Sequence, residues 1–408
     1  MRPISAEQFR EFLDRSPEAN YQQTPAWGEV RRGQWQPELL GWFDDEECCV
    51  GVAVVRYRAV PGIGLRFAYI PHGPVLDWGR ADVAGVLAGL RRHLVSRRVF
   101  GVRMSPPLST RVWAAERVRR GRTDPNLRHL TEMEPDAVDP VAEQAERMLR
   151  AEGWRRLEDE ESVDGVHPRY THRLPIAGQT EEELLAAMSQ TWRRHLRRSA
   201  REGGEVRRAT DRDLETIHDL HVDTARRQGF PAHSREMFDA IWEHFGAERS
   251  ARFHVDLGCH EEEALSAYTV IQVGGTAHMV FGSNSLRLPQ LHLSNAVIWE
   301  QIRQAISNGA HVYDLGVVTP ALDDDHPQVG LLRFKTGLGG EVVEGIGSWE
   351  LAIRPAVYYA FTNLYPRYSA ASSALRNRIR VRVIDRLGAA GRSPAGAAPA
   401  KSSRMRRV

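Results

Sequence analysis

Lysine is almost missing from this chain. Of 55 Lys and Arg residues only two are lysines, Lys335 and Lys401, and the second sits in an Ala/Gly/Pro/Ser-rich stretch. Arginine is a planar, permanently charged fork, whereas lysine is a compact point charge whose pKa moves readily on burial. A lysine kept in an otherwise all-arginine body marks position 335 as a place where the fork does not fit. Cysteine is scarce too. Cys48, Cys49 and Cys259 form no CxxC pair and no disulfide framework, which fits a reducing compartment. Long apolar runs are absent: the longest, Cys48 to Val55, is strand-sized, far short of the roughly 20 residues of a membrane span. The opening MRPISAEQFREFLDR has no apolar signal-peptide core, so the expected location is the cytoplasm. With no HExxH, no Cys/His cluster and no GxSxG, zinc hydrolysis and serine-nucleophile chemistry have no basis. Neither metal nor cofactor is expected.

The 408 residues, 42% hydrophobic and 26% charged, are globular in composition and long enough for two domains. Strand-like runs in the first half cover Pro37–Phe43, Val50–Tyr57, Leu65–Ile70 and Phe100–Met104. A helix near Asp82–Arg97 carries Val83, Val86, Leu87, Leu90 and Leu94 at helical spacing. The second half repeats this grammar. A helix opens at Thr180 with a capping box to Glu183 and runs on through Leu184, Met188, Trp192 and Leu196. Strands follow at Arg252–Leu257, Leu265–Val273 and Ala277–Gly282. Ser294 caps a further helix that stops at Asn308–Gly309, and a strand follows at His311–Leu315. Two copies of a small α/β unit with a mixed sheet account for the pattern.

Net charge is only +2, yet residues 355–408 hold eleven Lys and Arg against Asp385. That segment is expected to begin with a helix at Pro355, broken by Pro366, and to continue with a basic helix bearing Leu375, Ile379, Val383 and Leu387 on one stripe. Such a helix can lie on an anionic membrane surface or pack back on the first half.

Three local signals do not point to a site. Gln272-Val-Gly-Gly275-Thr-Ala277 fits the loop with which acetyltransferases hold the pyrophosphate of coenzyme A, but that role needs glycines that open a helix. Here the following residues read as a strand, so a hairpin turn is expected. His218 and His221, three apart on a helix, read as incidental, and Asp323-Asp324-Asp325-His326 as a solvated loop. The segment Arg193, Arg194, Arg197, Arg198 and Arg201 can bind phosphate or simply close a solvated helix.

The most informative stretch runs from Tyr313-Asp314-Leu-Gly316 to Gly330-Leu-Leu-Arg-Phe334-Lys335-Thr-Gly337. With it belong YQQTPAWGEV (21–30), YIPHGPVLDW (69–78) and DTARRQGFPAHS (223–234). In this order and spacing, over residues 10–365, the chain resembles the Fem family of aminoacyl-tRNA-dependent transferases, which build the interpeptide bridges of peptidoglycan. The resemblance implies an α/β fold, a tandem pair of GNAT-like (acyl-CoA N-acyltransferase-type) domains without the long helical arm of some members. On that reading residues 1–165 form domain 1, completed by helices in 350–387. Residues 166–349 form domain 2, and 388–408 a disordered basic tail. The resemblance further implies a donor, aminoacyl-tRNA carrying Gly, Ala or Ser. It implies an acceptor amine on the Lys or diaminopimelate of a peptidoglycan precursor, UDP-MurNAc-pentapeptide or lipid II. Phe334 and Lys335 would lie at the reacting centre. Arg31 and Trp35 fall where relatives hold the precursor's diphosphate, and His233 and Arg235 lie in the segment that contacts the precursor. His233 and Met237 depart from the Arg and Tyr that relatives often carry there, and Ser105 stands where some carry an acid.

The chemistry is undemanding. An aminoacyl ester is already activated, so alignment, a neutral amine and a stabilised oxyanion suffice. Lys335 suits the oxyanion or a tRNA phosphate, and Asp314, at a strand end, is the candidate general base. A coenzyme-A-dependent N-acyltransferase, a tRNA-dependent amide-forming enzyme of antibiotic biosynthesis or resistance, and a non-catalytic tRNA or membrane binder are the alternatives.

Overall fold

Alternation of side chains along the strands builds a layered core. In the Cys49–Val60 strand, Val52 and Val54 point to one face and Ala53, Val55 and Tyr57 to the other, as a period of two dictates. The second set meets the buried stripe of the Val83–Ser96 helix. The first meets Phe9, Phe12 and Leu13 of the Ala6–Asp14 helix, Ile241 and Phe245 of the Arg235–Gly246 helix, and Ile271 and Val273 of a strand in the other half. One apolar cluster therefore joins the two halves.

The computed structural model describes residues 1–60, 62–157 and 169–364. Residues 1–353 form one compact unit and 354–408 another. In the first unit the eight-stranded sheet runs Arg2–Pro3, Gln36–Phe43, Cys49–Val60, Leu65–Ile70, Val99–Met104, Trp349–Ala352, Arg155–Arg156, with Val75–Leu76 paired to the start of Cys49–Val60. The nine-stranded sheet runs Glu205–Arg208, Ala251–His260, Glu263–Val273, Thr276–Asn284, Val312–Val317, Tyr170–Pro175, Glu341–Gly345, Ser109–Ala114, Ala137–Val138.

Each sheet contains one parallel pair. Leu65–Ile70 lies beside Val99–Met104 across the Val83–Ser96 helix, and Thr276–Asn284 lies beside Val312–Val317 across the Leu293–Ser307 helix. Parallel neighbours need such a crossover. The repeated unit is the tandem GNAT-like pair, and no helix among the described residues exceeds the fifteen residues of Leu214–Gln228 and Leu293–Ser307. The sheets also exchange strands: Ser109–Ala114 and Ala137–Val138 join the second sheet, while Trp349–Ala352 returns to the first.

Several local expectations change. The helix from Thr180 is two helices, Glu181–Ala187 and Gln190–Arg201, because Ser189 turns extended and caps a new N-terminus through Trp192 N–H. His292 rather than Ser294 precedes the Leu293–Ser307 helix, with a left-handed φ of 50°. Residues 350–352 are strand, not helix. In the second unit the chain forms the Pro355–Tyr359 helix and a π-helical Ala360–Leu364 segment. The expected basic helix and the 388–408 tail lie outside the described residues. The LLRFKTG stretch, unassigned by periodicity, is a helix over Val329–Gly337.

Candidate active site

Lys335 is buried, at 3% exposure. Its ammonium reaches from the Val329–Gly337 helix to the end of the Val312–Val317 strand, donating to the carbonyls of Leu315 (2.5 Å) and Val317 (2.8 Å). Burial pushes its pKa down to about 8, and the nearby Asp314 carboxylate limits the fall. Two carbonyls converging on one nitrogen suit a small cation, and the broader guanidinium fork would need acceptors set further apart. The neighbouring Phe334 turns the other way. Its ring packs 5.0 Å from Trp192, and its carbonyl accepts the Trp192 indole N–H at 2.7 Å. Gly337 lets the helix sit this close, since a Cβ there would lie 2.6 Å from the Trp192 ring.

Asp314 lies where the parallel pairing ends: Thr276, Ala277 and His278 face Val312, Tyr313 and Asp314, and no register continues beyond. Its Oδ1 accepts the Gly316 N–H at 2.6 Å. Its Oδ2 faces Arg173 Nε at 3.7 Å and His278 Nδ1 at 3.8 Å. Burial alone would raise the carboxyl pKa, but His278, Arg173 and the Gly316 N–H together hold it well below the usual carboxylate range. Asp314, His278, Arg173 and His72 line a cavity of about 330 Å³ with Glu18 and Asp139. Burial pushes the His72 pKa down to about 3, so that ring is neutral.

Two sequence motifs meet to place His72. Gln23, fully buried, donates to the Pro71 carbonyl (2.5 Å) and accepts the Val54 N–H (2.8 Å). A Cβ on Gly73 would lie 2.7 Å from the Gln23 amide carbon. YQQTPAW and YIPHGP are thus two sides of one lock, and His72 emerges from it with a left-handed φ of 45°.

A second group forms around Arg31. Arg31 and His233 line another cavity of about 330 Å³ with Gln34 and Met237. The Arg31 guanidinium meets Gln34 Oε1 at 2.9 Å and Met237 Sδ at 3.6 Å, and burial lowers its pKa. Trp35 packs on Tyr69 at 5.9 Å, and Tyr69 lies across the strands from Arg56. Arg56 is 3% exposed, donates to the Gln22 carbonyl at 3.0 Å and pairs with no carboxylate among the described residues. Burial pushes its pKa down to about 10. From there the ring contacts run Arg56 to Trp27, Trp27 to Tyr21 and Tyr21 to His278, at 6.0, 5.1 and 5.6 Å. This line of side chains connects the Arg31 cavity with the Asp314 cavity. Arg235 does not join it: its guanidinium turns to Asp239 at 2.9 Å.

His278, Arg173 and Arg56 carry no motif and escaped the sequence reading, and His72, inside YIPHGPVLDW, was not singled out as a site residue. The available signal was a polar residue in a strand otherwise apolar, as in Ala277-His278-Met279-Val280. The Gly274–Gly275 turn is the expected hairpin, and Ser16 and Pro17 lie against it, with Gly275 N–H bonded to the Pro17 carbonyl at 3.1 Å. That backbone is closed to a pyrophosphate. Asp323 and Asp324 are taken up by Arg128, Arg122 and Arg333.

The sequence matches the FemAB family over residues 4–256 and 258–366. Among curated proteins it is similar to the lipid II:glycine glycyltransferase of Staphylococcus aureus strain MRSA252, 19% identical, with 92% of this chain and 98% of that protein covered. The same enzyme of strain USA300 matches at the same identity and coverage. Among solved structures, FemX shares the fold with a TM-score of 0.72 at 17% identity, covering 88% of this chain and 98% of that one. With a family match spanning nearly all of residues 4–366, this chain belongs to the FemAB family.

Proposed function

We propose that the protein is an aminoacyltransferase that moves Gly, Ala or Ser from aminoacyl-tRNA to the side-chain amine of a peptidoglycan precursor, forming a peptide bond in cell-wall bridge synthesis. The observation that carries this reading is the buried Lys335 ammonium, fixed on two strand-end carbonyls near Asp314, whose residue lines a cavity of about 330 Å³. Its family and its glycyltransferase relatives support the class of reaction.

In this reading the two halves divide the labour, with residues 1–165 and 166–349 as the units. The first offers Arg31 and Trp35 to the anionic part of the precursor, whether lipid II or UDP-MurNAc-pentapeptide, and His233 lines the same cavity from the second. The second also holds Lys335, whose positive charge steadies the ester oxygen as it becomes an oxyanion; one such contact is worth about 3 kcal/mol, or 10²–10³ in rate. Phe334, wedged against Trp192, fixes the helix that carries Lys335. Asp314 supplies charge. The basic segment 355–408 adds attraction to the inner face of an anionic membrane, where a lipid-linked acceptor resides.

The test is a donor competition. Purified protein with lipid II is offered radiolabelled aminoacyl-tRNAs and, separately, radiolabelled acetyl-CoA. Label entering lipid II from an aminoacyl-tRNA alone is expected; label entering only from acetyl-CoA would overturn the reading.

A further inference from the structure

We infer that His278 is the group that takes the proton from the reacting amine, with Asp314 as the partner that orients it. This rests on the aminoacyl-transfer reading above. The acceptor is a side-chain amine, almost wholly protonated at neutral pH with a reference pKa near 10.4, so a base must sit where it arrives. Asp314 is badly suited to that task. Its carboxylate already accepts the Gly316 N–H and faces Arg173, and those contacts favour its ionised form. A carboxylate that holds its charge this firmly gives a stable anion and a weak proton acceptor.

His278 has the complementary features. It is 8% exposed, lines the Asp314 cavity, and its Nε2 is buried with no hydrogen-bond partner among the described residues. A buried ring nitrogen left without a partner costs free energy and calls for a functional explanation. Its Nδ1 faces Asp314 Oδ2 at 3.8 Å, an ion-pair separation that substrate binding can tighten to a hydrogen bond, as catalytic contacts often do. With Nδ1–H directed at the carboxylate, the Nε2 lone pair is free to accept. The charged and titratable groups around the ring are Asp314, Arg173, His72 and Tyr21, with Glu18, Asp139 and His311 on the cavity wall. Asp314 Oδ2 faces the imidazole, and Arg173 Nε faces the same oxygen.

The step balances. Nε2 accepts one proton from the acceptor ammonium, and the freed lone pair attacks the carbonyl of the aminoacyl ester to form the C–N bond. The C–O bond to the tRNA ribose then breaks. The imidazolium returns its proton to the leaving ribose oxygen, and the second amine proton passes to solvent, so each turnover releases one proton net.

His278→Gln keeps the size and polarity of the side chain but cannot take up a proton. It is expected to melt as the wild type does, to lose 10²–10⁴ in kcat/KM, and to lose the acid limb of the pH–rate profile. Independently of activity, nitrogen NMR of the protein without substrates is expected to show His278 as the Nδ1–H tautomer. Wild-type rate with the acid limb retained in His278→Gln, or an Nε2–H tautomer in the NMR spectrum, overturns the assignment. Absence of any transfer by the wild-type protein would instead refute the aminoacyl-transfer reading, and the tautomer would still decide the His278–Asp314 pairing.

Discussion

Replacing Lys335 by methionine separates its two possible roles, because the energetic terms nearly cancel while the chemistry does not. Burial lowers the ammonium pKa from 10.5 to about 8. At about 1.4 kcal/mol per unit, charging it inside the protein costs about 3 kcal/mol at neutral pH. The sign follows from the depressed pKa. Above pH 10.5 the amine is neutral in both folded and unfolded chains and no penalty exists. The penalty grows as the pH falls towards 8 and is complete below it. Methionine, of similar length, removes this penalty but leaves the Leu315 and Val317 carbonyls without their donor, at about 1–3 kcal/mol each. The two effects offset one another in large part, so Lys335→Met is expected to unfold in denaturant within about 3 kcal/mol of the wild type. Turnover, in contrast, should fall 10²–10³-fold. Equilibrium unfolding and steady-state aminoacyl transfer on the same preparation provide the comparison. Wild-type turnover in the variant would refute the role given to the ammonium, and a loss of stability well beyond 3 kcal/mol would make the lysine a structural strut.

Other consequences are equally direct. Because the transfer needs Lys335 charged, the wild-type rate is expected to decline as the pH rises through about 8, and a flat profile to pH 10 would contradict it. Asp314→Asn removes the carboxylate that sustains the ammonium, so that alkaline limb should move to lower pH; pH–rate profiles of the two proteins decide this. Gly73→Ala drives a methyl to 2.7 Å from Gln23 and should cost about 1–3 kcal/mol in denaturant unfolding, since Gln23 is buried and held in place by its bonds to Pro71 and Val54. Arg31→Ala should raise KM for the anionic acceptor with kcat little changed, measured by varying lipid II at saturating donor.

How much of this could be read from the chain depended on the range of the interactions. The strands at 37–43, 50–57 and 265–273 and the helix near 82–97 were legible because their apolar periodicity is local and strong. The exchange of strands between sheets was not, since Ser109–Ala114 pairs with Glu341–Gly345 more than two hundred residues away. The single break at Met188–Ser189 was hidden because the apolar stripe continues through it in phase, and only the serine cap gives it away. At the site, scarcity pointed to Lys335 without any geometry. His278 and Arg173 gave no comparable signal, because a strand histidine or arginine becomes notable only once the surrounding residues bury it. Gln23 and Gly73 were visible only as parts of two motifs, and their contact supplies the physical reason those motifs occur together.

The central claim is that this chain joins an amino acid to a stem-peptide amine. Mass spectrometry of lipid II recovered after incubation with the protein and a pool of charged tRNAs tests it most directly. The expected result is a mass increase equal to one Gly, Ala or Ser residue, with fragmentation placing it on the side-chain amine of the precursor's Lys or diaminopimelate. Unmodified lipid II under conditions where the protein is folded and the tRNAs remain charged would contradict it.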